Sequence, residues 1–135
     1  GLVDITGSLS ARYKNGAIYA LELGKKGNGA LTFVAPEDII LTISVASTGS
    51  SNLSLIAVKV GESYIAANET AVEEAGILSG GTLYLSATEN VYGVYTSGTQ
   101  TTITYTISKG DVVTILNPDS GRNTRLMALS IQLAQ

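Results

Sequence analysis

The sequence predicts an all-β fold, a β-sandwich of the jelly-roll type, and three observations carry that reading. Short runs alternating apolar with hydroxyl-bearing residues recur along the 135 residues, Gly, Asn, Asp and Pro punctuate them, and Thr, Ser, Val, Ile, Leu and Tyr dominate the runs. Some eight to ten strands at this spacing suit two sheets packed face to face. A chain of this length buries roughly 65–70% of its unfolded surface, enough for one core, so a single domain over 1–135 is expected.

The first clear strand is Ala17 to Leu23, with Tyr19, Leu21 and Leu23 on one face, and the Gly-rich stretch Gly24 to Gly29 turns the chain. Ala30 to Val34 points Leu31 and Phe33 inward. After Ala35-Pro36-Glu37-Asp38, the run Ile39 to Ser47 buries Leu41, Ile43 and Val45 and exposes Thr42 and Ser44. Thr48 to Asn52 is a loop. Leu53 to Val60 is apolar on both faces, as a central strand is, and Gly61-Glu62 connects it tightly to Ser63 to Ala66. The pattern breaks from Ala67 to Gly81: Asn68 caps one short helix over Glu69 to Ala75, closed by Gly76, or the segment is a structured loop, and periodicity leaves both open. Thr82 to Ala87 resumes the strands and Thr88 to Thr99 is a long loop. Thr101 to Ile107 alternates Ile103, Tyr105 and Ile107 against Thr102, Thr104 and Thr106. Val112 to Leu116 follows the turn Ser108 to Asp111, Asn117 to Gly121 loops out, and Met127, Leu129, Ile131 and Leu133 form the buried face of the last strand.

Composition removes several function classes. The chain has no His, no Cys and no Trp, so the usual acid–base and nucleophilic groups are missing and a non-enzymatic role is expected. Glu69 with Glu73 or Glu74 offers a carboxylate pair one helical turn apart, but with no cleft between its members. Eight Lys and Arg against eleven Asp and Glu give a net charge of −3 spread along the chain, which marks neither a nucleic-acid stripe nor a membrane patch. Its apolar runs, such as Ile39-Ile40-Leu41, are far shorter than the roughly 20 residues of a spanning helix. Absent cysteine excludes a disulfide framework, and Gly1 in place of Met suggests a mature product or an excised domain.

The path from Tyr19-Ala20-Leu21-Glu22-Leu23 through Gly29-Ala30-Leu31-Thr32-Phe33 to Leu41-Thr42-Ile43, then Tyr105 to Ile115 and Ser120 to Ile131, resembles accessory β-sandwich modules appended to pectate lyases and other plant-cell-wall-degrading enzymes. The likeness spans residues 17 to 133 and lies in strand and turn pattern. It implies galactose-binding-like topology and a non-catalytic carbohydrate-binding module, secreted by a bacterium, monomeric and linked to a catalytic domain. The chain departs from the commonest members in having no Trp platform, which points away from flat crystalline cellulose. A uronic-acid-containing polysaccharide of the pectin or homogalacturonan type is the leading ligand, with no nucleic-acid or membrane partner and no cofactor.

Sugar recognition needs an aromatic face, bidentate polar groups for vicinal hydroxyls and, for uronates, a cation. If connections alternate between the two ends of the sandwich, the loops 35–38, 60–62, 88–100 and 117–123 share one end, and one extra short strand at Val91 to Val94 reverses that parity. That grouping gathers Tyr92, Tyr95, Asn90, Asn117, Arg122, Asn123 and Arg125, and the binding set is Tyr92, Tyr95, Arg122, Asn123 and Arg125. Arginine is preferred to lysine because its fork meets a carboxylate in two parallel hydrogen bonds. Against this stand plainer roles: Tyr92 or Tyr95 as a local core plug beside Gly93, and Arg122 and Arg125 solvated or paired with Asp119 and Glu89. Arg12, Tyr13 and Lys14 form the alternative site. Structural calcium has oxygen donors in Asn117 to Gly121, with Glu22, Asp111, Glu73 and Glu74 as further carboxylates, although solvated turns explain each more simply. The competing function is a structural or adhesive sandwich of a bacterial surface or phage tail, which would expose an apolar patch or an unpaired edge strand.

Overall fold

The computed structural model describes residues 4–7, 9–14, 16–24, 29–47, 54–69, 83–85, 90–94, 101–118 and 123–134. Among them are strands β1 (Asp4–Gly7), β2 (Leu9–Lys14), β3 (Ala17–Leu23), β4 (Gly29–Val34), β5 (Ile39–Ser47) and β6 (Ser54–Val60). β7 (Ser63–Tyr64), β8 (Leu83–Leu85), β9 (Tyr92–Val94), β10 (Thr101–Ile107), β11 (Val112–Leu116) and β12 (Thr124–Leu133) follow. One sheet runs β1-β4-β11-β6-β9-β8, with β7 also on β6, and the other runs β10-β5-β12-β3-β2. Pairing is antiparallel throughout. The chain changes sheet at each step from β3 to β6 and again from β9 to β12, and the two sheets close a β-sandwich.

The core follows from alternation. β5 presents Ile39, Leu41, Ile43 and Val45 inward, all essentially sealed from solvent. β10 sets Ile107, Tyr105 and Ile103 opposite Ile39, Leu41 and Ile43. The other sheet answers with Leu31 and Phe33 from β4, Ile56 and Val58 from β6, and Val113 and Ile115 from β11, in one continuous apolar cluster. β6 lies between β11 and β9, which accounts for its apolar character on both faces.

Several elements differ from expectation. β1 and β2 precede the first expected strand, and β9 lies inside the expected loop Thr88 to Thr99. No described residue is helical, and most of the expected helix near 68–75 falls outside the described residues. The last strand is not buried along its length: Ile131 is 39% exposed and Leu133 66%. The cause is in the pairing, since β3 accompanies β12 only from Thr124 to Leu126. A register shift between Leu126 and Ala128 follows, and β12 continues against β5 alone.

Asn68 does not cap a described helix; with Glu69 it covers the outer edge of β10. The Asn68 N–H donates to the Thr104 carbonyl (2.8 Å), and the Thr104 N–H donates to Glu69 Oε1 (2.6 Å). The Thr104 hydroxyl donates to Glu69 Oε2 (2.6 Å), while the Thr106 hydroxyl donates to Asn68 Oδ1 (3.2 Å). Both backbone groups of Thr104 are thereby satisfied at an edge that would otherwise offer them to another strand.

Beneath this cover lies Tyr105, wholly buried, with no hydrogen-bond partner for its hydroxyl among the described residues. Burial pushes its phenol well above the ordinary value, and Tyr92 and then Glu69 add in the same direction. Above about pH 10 the unfolded chain gives up this proton and the folded chain keeps it, so Tyr105 contributes stability below that pH and loses it as pH rises. Wild-type stability, followed by urea unfolding from neutral to alkaline pH, is expected to fall above pH ~10 by up to about 1 kcal/mol per unit from this residue, and Tyr105→Phe is expected to flatten the fall. At neutral pH Tyr105→Phe should cost little, whereas Tyr92→Phe should cost about 1–3 kcal/mol, because the Tyr92 hydroxyl accepts from the Ala67 N–H (2.8 Å).

Candidate functional site

Strand direction decides which residues meet. β3, β5, β9 and β11 finish at the end of the sandwich where β4, β6, β10 and β12 begin. There the Asn117 amide donates to the Leu23 carbonyl (3.3 Å), the Ser54 hydroxyl donates to the Asn123 carbonyl (2.9 Å), and the Thr124 hydroxyl donates to the Leu55 carbonyl (2.6 Å). The opposite end joins Ala35 to Asp111 (2.9 Å) and to Gly110 (2.8 Å), and Asp38 accepts from the Lys109 N–H (2.9 Å). Connections 35–38 and 61–62 therefore lie away from Asn117 and Asn123, not with them. The short strand β9 turns the chain one extra time and reverses the count. Asn90 belongs to that far end as well, donating to the Tyr64 carbonyl (3.3 Å) from a left-handed backbone conformation, φ 55°.

Tyr92 lies in the core, 3% exposed, with its ring edge-on to Tyr105 at 6.4 Å between centroids and 77° between planes. Its hydroxyl is taken by Ala67. The core-plug role fits Tyr92, and contact with a surface ligand does not. Tyr95 and Arg122 lie outside the described residues.

Asn123 and Arg125 are brought together with a residue that the sequence had offered only as a calcium carboxylate, Glu22. Arg125 sits directly opposite Glu22 of β3 on one side and Ala46 of β5 on the other. Asn123 Nδ2 donates to Glu22 Oε1 (3.0 Å). Arg125 is half-buried, and its Nε is sealed from solvent without a hydrogen-bond partner among the described residues. Ser10 of β2 continues the row on the far side of Glu22. The alternative trio follows along β2: Arg12 opposite Ala20, then, past a register shift, Tyr13 opposite Ile18 and Lys14 opposite Ala17. A guanidinium, a carboxylate and an amide thus share one end of the sandwich, donors beside an acceptor.

An aromatic–cation pair that the sequence reading missed lies on the other sheet. Lys59 Nζ stands 5.1 Å from the centroid of the Tyr64 ring, from directly opposite positions on β6 and β7. Thr114 and Thr32 extend the same row across β11 and β4. The expected tight turn at Gly61-Glu62 already sets Lys59 opposite Tyr64, although the pair was not drawn from it.

Among the described residues no three His, Cys, Asp or Glu side chains gather to hold a metal ion. The calcium candidates have other duties: the Asn117 amide is committed to Leu23, and the Asp111 carboxylate accepts from the Ser108 N–H (3.0 Å) to close its turn. Glu73, Glu74, Asp119 and Gly121 are outside the described residues. No protein-family model matches the chain and no curated protein matches it.

Asn117 and Asn123 separate structural from surface roles. Asn117 is fully buried, so Asn117→Ala removes the donor to a core-edge carbonyl and is expected to cost about 1–3 kcal/mol in urea unfolding. The half-buried Asn123→Ala should cost about 1 kcal/mol or less.

Proposed function

We propose that this chain is a non-catalytic carbohydrate-binding module, secreted by a bacterium and working beside a catalytic domain that degrades plant cell-wall polysaccharide. The observation that carries the reading is the Asn123–Glu22–Arg125 cluster, where an amide and a half-buried guanidinium flank a carboxylate at one end of the sandwich. Alternating donors and acceptors bind paired sugar hydroxyls, and the guanidinium fork adds affinity for a uronate. The alternating connectivity of the sheets supports the jelly-roll form of the fold. Glu22 stands directly across from Arg125, so uronan binding at this end calls for a second cation beside it.

One observation favours the structural or adhesive reading instead. Exposed apolar residues occur at Ile131 and Leu133 and at Val34 and Val112, the last two directly opposite each other. Such patches are assembly surfaces more often than sugar platforms.

Affinity electrophoresis against homogalacturonan, its methyl-esterified form, xylan, xyloglucan, β-glucan and galactan separates the two. Retardation by unesterified homogalacturonan that fades with salt is expected, and the Arg122→Ala, Arg125→Ala double variant should lose it while keeping the wild-type unfolding curve. Retardation by a neutral glucan that Tyr64→Ala abolishes would move the site to the Lys59–Tyr64 face. No retardation by any glycan would overturn the carbohydrate reading.

A further inference from the structure

We infer that the free stretch of β12, Met127 to Leu133, is a self-pairing edge that joins two copies of this chain into an antiparallel dimer. Beyond Leu126 this strand is bonded to β5 and, among the described residues, to nothing on its other side. Its residues sit at the surface on both faces: Ser130, Ile131, Gln132 and Leu133 are all exposed. Seven consecutive residues of strand with open backbone groups form a template for another strand.

The sequence of this stretch says which strand fits. From Leu126 to Gln135 there is no charge and no Pro, so the usual devices that repel a second strand are missing. The pattern is also symmetric about Ser130. In an antiparallel pair centred there, Ser130 faces Ser130, Leu129 of one copy faces Ile131 of the other, Ala128 faces Gln132, and Met127 faces Leu133. Leu129 with Ile131 and Met127 with Leu133 are apolar pairs, Ser130 meets itself, Ala128 leaves room for Gln132, and no like charges oppose each other. Leu129, Ile131 and Leu133 stand directly across from Ile43, Leu41 and Ile39 and share their face of the sheet, so pairing extends that apolar face across the two-fold axis. That is the isologous contact a two-fold dimer requires.

The contrast with β10 strengthens the assignment. β10 is the true edge of the same sheet, and Asn68 and Glu69 occupy both backbone groups at its middle residue, Thr104. The chain blocks this edge with its own side chains, whereas the stretch of β12 beyond its pairing with β3 is uncharged and, among the described residues, has no ladder partner on that side.

Because the chain has no Cys, Ser130→Cys introduces a single thiol, and Ser130 facing Ser130 brings the two Cα atoms to roughly 5 Å, within disulfide range. Under mild oxidation this variant is expected to cross-link nearly completely, while Thr106→Cys, exposed on the covered edge β10, stays largely monomeric. In sedimentation velocity from roughly 1 µM to 1 mM the wild type should show a concentration-dependent dimer. Ser130→Lys, which sets like charges face to face at the axis, should weaken it at least about 100-fold, and Val112→Lys on the other sheet should not change it. A monomer throughout the range, the state expected from sequence, would overturn the inference. So would a dimer that withstands Ser130→Lys while that variant unfolds like the wild type, or equal cross-linking of the two cysteine variants.

Discussion

The fold depends on one constraint, the register of β5 between β10 and β12. Its four inward residues, Ile39, Leu41, Ile43 and Val45, are sealed because each has a neighbour at the same height on either side. The side-chain period of a strand is two, so a slip by one residue would turn Thr42 and Ser44 into the core and Ile43 out to water. Burying four aliphatic side chains contributes on the order of 6–12 kcal/mol, comparable to the whole net stability of a domain this size, so no other register competes. The second sheet then has one apolar surface to pack against, and Phe33, Ile56, Val58, Val113 and Ile115 fill it.

Polar groups divide their labour around that core. At one edge, Asn68 and Glu69 act as a one-residue substitute for a strand, and the same turn anchors the Tyr92 hydroxyl through Ala67. Tyr92 and Tyr105 thereby form an aromatic contact between the sheets, since β9 lies in one and β10 in the other. At the Asn123 end, buried Asn117 and Thr124 spend their side chains on carbonyls where strands stop, which is how a sandwich closes a rim without leaving acceptors dry. Asn123, Arg125 and Glu22 are half-buried there and keep part of their surface toward solvent.

Alternation alone was enough to locate β4, β5, β10 and β11 to within a residue and to name the core-facing residues of β4, β5 and β10, although Ser44, expected exposed, is buried against Thr102. Non-local facts were not legible. The three residues of β9 are too few to show a period, yet they decide which loops share an end, and so the expected grouping of connections 35–38 and 60–62 with 117–123 failed. Tyr92 carried the same residue type as a surface platform, and only the packing of Tyr105 and the reach of Ala67 put it inside. Glu22 was visibly on the polar face of its strand, but nothing local says that Arg125 stands across from it. Leu133 looked buried because its run is apolar, and the early departure of β3 leaves it in water.

The Ala134 N–H donates to the Asp38 carbonyl (2.9 Å), which holds the tail of β12 at the end of the sandwich remote from Asn123. Exposed Lys109 lies at that same end, beside Asp38 and Glu37. A bead, sensor chip or carrier attached through either position would hold the domain by its base, leaving Asn123 and Arg125 aimed outward at whatever flows past.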